Sequence, residues 1–258
     1  MRWFLFLLFL ALPACSKAEP AQRSAESFCR ELGFEGSRFT VCDNRGGELR
    51  LLAAGKTEKP VRSFAQAMHK VEVGKIAFAM NAGMYDEEGR PIGHAVVDGK
   101  KLKPVNLRDG PGNFHMKPNG VFMVLCGGRR TIFQSDLIPQ FRCAPTLATQ
   151  SGPMLVIGGK LHPKIEHDGS SRHIRNGVGT RDGKAVFVIS ETPVSLGKFA
   201  RFFRDQLKTP DALFFDGSVS SLWDPANGRQ DNHTELGPII VAFKPEASAP
   251  GRAGRARP

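Results

Sequence analysis

After its first dozen residues the chain has no long apolar run, so nothing further along is expected to cross a membrane as a helix. It has no C-x-x-C pair, which argues against a zinc ribbon or a dithiol redox centre. It also lacks a P-loop, a dinucleotide-binding glycine fingerprint and a G-x-S-x-G elbow, and with them the usual nucleotide-binding and serine-hydrolase chemistries. No array of basic and aromatic residues is present, so nucleic acid is not an expected partner. His162 and His167 do not stand at a metal-binding helical spacing and read as loop residues. There is no internal repeat and no interdomain linker, so one domain is expected.

What is present starts with an export signal. Met1-Arg2 is followed by the apolar run Trp3–Leu12 and then by small residues at Ala14, Ser16 and Ala18. The run is too short to span a bilayer, and residues 1–18 are expected to be a cleaved secretory signal. Leu12-Pro13-Ala14-Cys15 reads as a lipobox with Cys15 as the lipidation site, whereas Ser16-Lys17-Ala18 offers an ordinary signal-peptidase site. The mature protein is therefore expected to be exported, either free in the periplasm or lipid-anchored to the envelope. Removing or acylating Cys15 leaves Cys29, Cys42, Cys126 and Cys143, an even set. In an oxidising compartment the local pairings are Cys29–Cys42 and Cys126–Cys143. Each would contribute about 3 kcal/mol on the chain-entropy account. The formal charge of +11 comes partly from residues 245–258, a small-residue, Pro/Gly-rich basic tail expected to be disordered. The tail reads either as a solvated solubility tail or as an adhesive for anionic envelope polymers, including phosphate-bearing glycans.

Between an N-terminal segment (19–42) and the tail, residues 43–244 carry the domain. Apolar runs flank Asp98-Gly99, Gly158-Gly159 and Asp182-Gly183, three hairpin signals. Further strands are expected at Glu48–Ala53, Lys75–Met80, Gly120–Leu125, Leu213–Asp216 and Pro238–Phe243. Helices are expected over Val61–Val71 and after Ser195, where Phe199, Phe202, Phe203 and Leu207 form an apolar face. The expected class is α+β: mixed, mainly antiparallel sheets with a few packed helices in a single domain.

Chemistry is expected where glycine and polar residues sit beside buried strands. In Phe214-Phe215-Asp216-Gly217-Ser218-Val219-Ser220-Ser221, a strand delivers a carboxylate followed by hydroxyls. Asp216 beside Phe215 is a candidate general acid/base with a raised pKa, although it could instead simply close the following turn. Glu191, ending another strand, is the candidate second carboxylate of a glycoside hydrolase pair. Asn81 and Gly83 lie just past an apolar strand, where Asn81 could orient a sugar hydroxyl or only close a turn. Arg175 and Asn176, in Ser171-Arg172-His173-Ile174-Arg175-Asn176-Gly177, suit an anion, the alternative being an exposed salt-bridged loop. His94, Lys117 and Asn119 are lesser candidates. No metal-ligand set and no cofactor are expected, and a divalent cation is kept as a variable for assay.

In order along the chain, Asn81-Ala82-Gly83-Met84-Tyr85, Asn119-Gly120-Val121, Ser151-Gly152-Pro153-Met154-Leu155, Arg175-Asn176-Gly177-Val178-Gly179 and Phe215-Asp216-Gly217-Ser218-Val219-Ser220-Ser221 resemble the motifs of the phosphodiester glycosidase family. The resemblance runs from about Asp43 to Phe243. It implies hydrolysis of a sugar-1-phosphodiester on the glycosidic side, freeing a sugar and a phosphomonoester. On that basis Asp216 serves as acid/base or nucleophile, Arg175 holds the phosphate, and Asn81, Asn119 and Ser221 position the sugar, with Gly217 and Ser218 beside them. The chain departs from the family's common Asn-Gly-Gly-Phe-Phe at Ala82, Met84 and Tyr85, and from Asp-Gly-Gly-Gly-Ser at Ser218 and Val219, whose larger side chains are expected to crowd close backbone approach while leaving the carboxylate in place. The runner-up is a non-catalytic periplasmic glycan- or phosphoglycan-binding lipoprotein using the same pocket.

Overall fold

The computed structural model describes residues 27–246. The expected signal segment, the Cys15 lipidation site and residues 247–258 of the expected tail lie outside the described residues.

Every strand pair among the described residues is antiparallel. A seven-stranded sheet runs, edge to edge, Cys29–Phe34, Ser37–Cys42, Lys184–Ser190, Asn176–Arg181, Asp211–Phe214, Met154–Ile157 and Lys160–Leu161. One five-stranded sheet has the order Arg229–Gln230, Leu222–Asp224, Ile76–Asn81, Ile239–Phe243, Leu49–Leu52. The other has the order Lys100–Lys103, Ala95–Val97, Leu147–Ser151, Gly120–Val124, Arg130–Gln134. The three expected hairpins form, with Val97 opposite Lys100, Ile157 opposite Lys160 and Arg181 opposite Lys184. Both residues of each two-residue turn have positive φ, for example Asp98 at 48° and Gly99 at 78°. That turn matches the right-handed twist of its strands, which is why Asp-Gly and Gly-Gly stand there.

The three sheets enclose one core. Phe187, Val178 and Leu213 come from the large sheet, Phe78, Leu51 and Ile240 from the second, and Phe122, Val124 and Leu147 from the third. Phe187 is the hinge of this packing, its ring centroid 5.4 Å from that of Phe78 and 5.8 Å from that of Phe122. The outer face of the large sheet is covered by α2 (Leu196–Arg201) and the π-turn that continues it, Phe202–Gln206. Phe199, Phe202 and Phe203 there meet Phe39, Val188 and Phe214. The outer face of the second sheet takes α1 (Phe64–Met68), with Phe64 and Ala67 against Trp223 and Val241. Ser63 and Ser195 cap the two helices through Oγ, accepting the amides of Gln66 (3.2 Å) and Lys198 (3.1 Å).

Two expectations need correction. The α+β class gives way to a mainly β protein, because both helices are short covers over sheet faces rather than a second layer of comparable size. The N-terminal segment is not separate from the domain: Ser37–Cys42 pairs with Lys184–Ser190 inside the large sheet. Its hairpin turn is also bound to α2, where Arg201 holds both oxygens of the Glu35 carboxylate at 2.9 and 2.6 Å.

Both expected disulfides form. Cys29 and Cys42 face each other across the first hairpin, with Cα atoms 4.0 Å apart, and both are buried. Cys126 and Cys143 are exposed on a loop. Access therefore orders their chemistry. Under graded reductant, alkylation and mass spectrometry should label Cys126 and Cys143 first. Cys29→Ser/Cys42→Ser should lower unfolding free energy by about 3 kcal/mol in denaturant titrations; simultaneous labelling of all four would contradict the ordering.

Candidate functional site

All three sheets end at one place. In the large sheet Asn176 begins a strand where Ser190 and Phe214 end theirs, Gly177 lying opposite Phe214. In the second sheet Asn81 ends its strand opposite Ile239, next to the start of Leu222–Asp224. In the third, Ser151 ends opposite Gly120. Backbone bonds stitch these ends together: Asp216 N–H donates to Ala82 O (3.1 Å), Phe215 N–H to Asn176 O (3.0 Å) and Met154 N–H to Pro118 O (3.0 Å).

Two amides clasp the junction. Asn176 Nδ2 donates to the Asn81 carbonyl and to Asn81 Oδ1, both at 2.9 Å. Asn81 Oδ1 also accepts the Ser221 amide at 2.8 Å, and Asn81 Nδ2 donates to the Asp216 carbonyl at 2.9 Å. The Ser220 hydroxyl lies 3.2 Å from Asn176 Oδ1 and 3.0 Å from the Ile174 carbonyl. Asn81, Asn176 and Ser221 are each at most 1% exposed, and the Ser221 hydroxyl is bound to Val219 O at 2.8 Å. These side chains are spent on the protein itself. The expectation that Asn81 and Ser221 orient a sugar is corrected: they fix the loop that carries Asp216.

Asp216 sits at the lip of this junction, partly exposed, with Oδ1 accepting the Ser218 amide at 3.1 Å. Burial pushes its carboxyl above the ordinary value of 3.8, with the Ser218 amide and hydroxyl pulling the other way. No cation forms an ion pair with it among the described residues. Tyr85 is close enough to feel Asp216: burial first and the Asp216 charge second raise its phenol, whose hydroxyl donates to Glu235 O at 2.8 Å. Two glycines let the chains approach. A Cβ at Gly83 would come within 2.3 Å of Gln150 O, and one at Gly217 within 2.4 Å of Phe214 Cζ. Ser218 is exposed and its hydroxyl acts on the Asp216 carboxyl, so it stands at the site, whereas Val219 packs with Trp223 and Ile239 in the core and does not crowd it.

Arg175 touches the other part of Phe214, its Cζ 5.4 Å from the ring centroid. It is 3% exposed, Nε donates to Val194 O (2.8 Å), Nη2 donates to Ser171 O (2.9 Å), and Nη1 makes no hydrogen bond among the described residues. No carboxylate forms an ion pair with it among the described residues, although Glu166 lines the same cleft, and burial pulls the guanidinium down to about 10. It lines a cleft of about 220 Å³ with Asn113, Met116, Lys164, Ser171 and Leu196.

The remaining candidates are each engaged by protein partners. Glu191 accepts Thr40 Oγ1 and Arg229 Nη1, each at 2.6 Å, and Arg229 is forked onward to Asp231 at 3.0 Å. It belongs to an ion-pair network and not to a carboxylate pair with Asp216. Lys117 is bound to Asp109 (2.7 Å) and Leu107 O (2.6 Å). Asn119 donates to Phe114 O at 2.7 Å beside a separate cleft of about 280 Å³. His94 is buried in the third sheet, with Nδ1 2.8 Å from Lys103 O; burial and Lys101 lower its pKa against that bond. Sequence reasoning passed over Ser220 and Tyr85. Both stand inside the quoted motifs, but only the folded chain tells which of three adjacent seryl hydroxyls faces Asn176.

A family model described as phosphodiester glycosidase matches residues 74–238, which contain the junction. The uncharacterized protein YigE of Escherichia coli (strain K12) is 36% identical over 153 residues, covering 58% of this chain. The chain matches 59% of the length of that curated relative. Among solved structures, the catalytic domain of zebrafish N-acetylglucosamine-1-phosphodiester alpha-N-acetylglucosaminidase, auto-inhibited by its pro-peptide, superposes with a TM-score of 0.57. That match has 15% identity and covers 84% of this chain and 81% of that one. A hypothetical protein from Synechocystis matches with a TM-score of 0.50 and 17% identity, over 84% of this chain and 61% of that one. With a family model matching more than half of its length, this chain belongs to the phosphodiester glycosidase family.

Proposed function

We propose that the protein is an exported hydrolase that cleaves a sugar-1-phosphodiester in envelope or extracellular glycoconjugates. One observation carries this reading: a partly buried carboxyl and a buried guanidinium, neither with an ion-pair partner among the described residues, stand at the same sheet end, with Arg175 over the Phe214 ring against which Gly217, next to Asp216, is packed. A substrate with an electrophilic sugar carbon next to an anionic phosphate satisfies both. Water adds to C1, the C1–O bond to phosphate breaks with its electron pair moving to the phosphate oxygen, and the water proton passes to Asp216. The products are the free sugar and a phosphomonoester. The leaving phosphomonoester is a weak base that needs little protonation, so the carboxylate is used best as the base. Its raised pKa strengthens it in that role. Arg175 Nη1 holds the phosphate through a charge-assisted bond. Two disulfides and the apolar leader of residues 1–18 support an oxidising, extracytoplasmic setting.

Assays on UDP-sugars and synthetic glycosyl phosphodiesters, with and without divalent cations, test the reading. Asp216→Asn should lower kcat by about 10²–10⁴-fold while circular dichroism stays unchanged. No turnover by the wild type, with sugar-phosphate binding that survives Asp216→Asn, would turn the protein into a glycan-binding one. The pH dependence follows from the same group. Activity should rise with pH through the elevated Asp216 pKa, because the base must be ionised. Stability should move oppositely: the native state holds this proton more tightly than the unfolded chain, so the free energy of unfolding falls as pH climbs from 3.8 through the native value. Thermal melts of Asp216→Asn should lack that fall. Arg175→Gln should raise KM about ten- to a hundredfold, the loss of one charged hydrogen bond of about 1.5–3 kcal/mol, without lowering the melting temperature at neutral pH.

A further inference from the structure

Resting on that reading, we infer that the group esterified to the sugar phosphate is an apolar alcohol, whose first carbons lie in the Arg175 cleft. The cleft combines features that suit an anionic amphiphile. The Arg175 guanidinium lines it, and its Nη1 makes no hydrogen bond among the described residues. Its walls include the partly exposed side chains of Met116, Ile165 and Leu196, and Ile174, 39% exposed, stands immediately before Arg175 in the chain. Partly exposed apolar side chains gathered around one buried cation bind hydrocarbon and phosphate together.

Charge distinguishes this from a nucleoside diphosphate. The ionisable residues lining the cleft are Arg175, Lys164 and Glu166, a net charge of one positive unit. That balances the single negative charge of a phosphodiester and leaves a second phosphate unmatched beside the Glu166 carboxylate. No aromatic ring lines the cleft to stack a base. At about 220 Å³ the space is smaller than the roughly 300 Å³ at which small-molecule pockets begin. It encloses a phosphate and a short length of chain, and the remainder of a longer alcohol runs out over the surface.

The test is a series of sugar-1-phosphate alkyl diesters from methyl to octyl, assayed with the full exported chain. KM should fall with each added methylene over the first few carbons, by up to about fourfold per carbon for full burial, and then level off. In Met116→Gln the dependence on chain length should flatten. A KM that stays constant from methyl to octyl, with turnover intact, overturns the inference and leaves the phosphodiester glycosidase reading standing. If no diester is turned over, that reading fails, and calorimetry with methyl and hexyl phosphate, kept below micelle-forming concentrations, still decides the point. Tighter binding of hexyl phosphate, lost in both Arg175→Gln and Met116→Gln, supports the apolar site. Equal binding of the two phosphates, or binding indifferent to both substitutions, refutes it.

Discussion

The Asn81–Asn176 pair is the contact on which the active end of this fold depends. Three antiparallel sheets finish at one place, and strand ends leave backbone groups that no ladder satisfies. The two amides fill that need across sheets: one end of Asn81 takes the Asn176 amide and the Ser221 N–H, and the other gives a hydrogen to the Asp216 carbonyl. Removing either side chain would strand its buried partner, a loss of about 1–3 kcal/mol for each unsatisfied group. The position of the Asp216 carboxyl is thereby set by residues from two sheets, which is how a loop residue gains the precision of a strand.

Phe214 joins this junction to the hydrophobic core. Its ring packs edge-on against Phe199 of the covering helix at 6.4 Å, takes the Arg175 guanidinium at 5.4 Å, and leaves Gly217 no room for a side chain. The same aromatic group therefore anchors α2, shelters a cation from water and seats the Asp216 loop. Phenylalanine suits all three because its ring has a negative face and no polar atom that would need a partner. The nineteen Phe against one Tyr and two Trp show that choice throughout the molecule, with Phe187 playing a corresponding part between the sheets.

Much of this architecture was legible in residue order alone. Asp-Gly and Gly-Gly turns fixed three hairpins because their two-residue loops admit few other conformations. The Ser195 cap and the Phe199, Phe202 and Phe203 stripe announced α2, since the period of a helix is carried by the sequence itself. The balance of the class was less legible, because helix length here is set by the sheet face that each helix must cover. Glu191 illustrates the limit at the site. It ends a strand at the same edge as Asp216 does, and only the return of Arg229 from a distant hairpin shows that it is occupied. Asn81 was singled out for the wrong role for a related reason: its partner lies 95 residues away. An amide spent on a neighbouring strand looks, in sequence, like one offered to a ligand.

Stability and chemistry pull apart at Asp216 and Arg175. Arg201 is matched by Glu35, and Arg229 by Glu191 and Asp231, whereas Asp224, 2% exposed, has no ion-pair partner among the described residues and is held through Asn227. Burying a charge without such a partner costs several kcal/mol even after relaxation, so folding alone gives no reason to keep two. Both are held by backbone carbonyls, amides and an aromatic ring, groups that orient a charge without cancelling it. A counter-ion for either would lower the energy of the empty protein and weaken its hold on an incoming charge of opposite sign, or its pull on a proton. Under the proposed function the missing partners arrive together on one molecule, an anion next to a site of proton release.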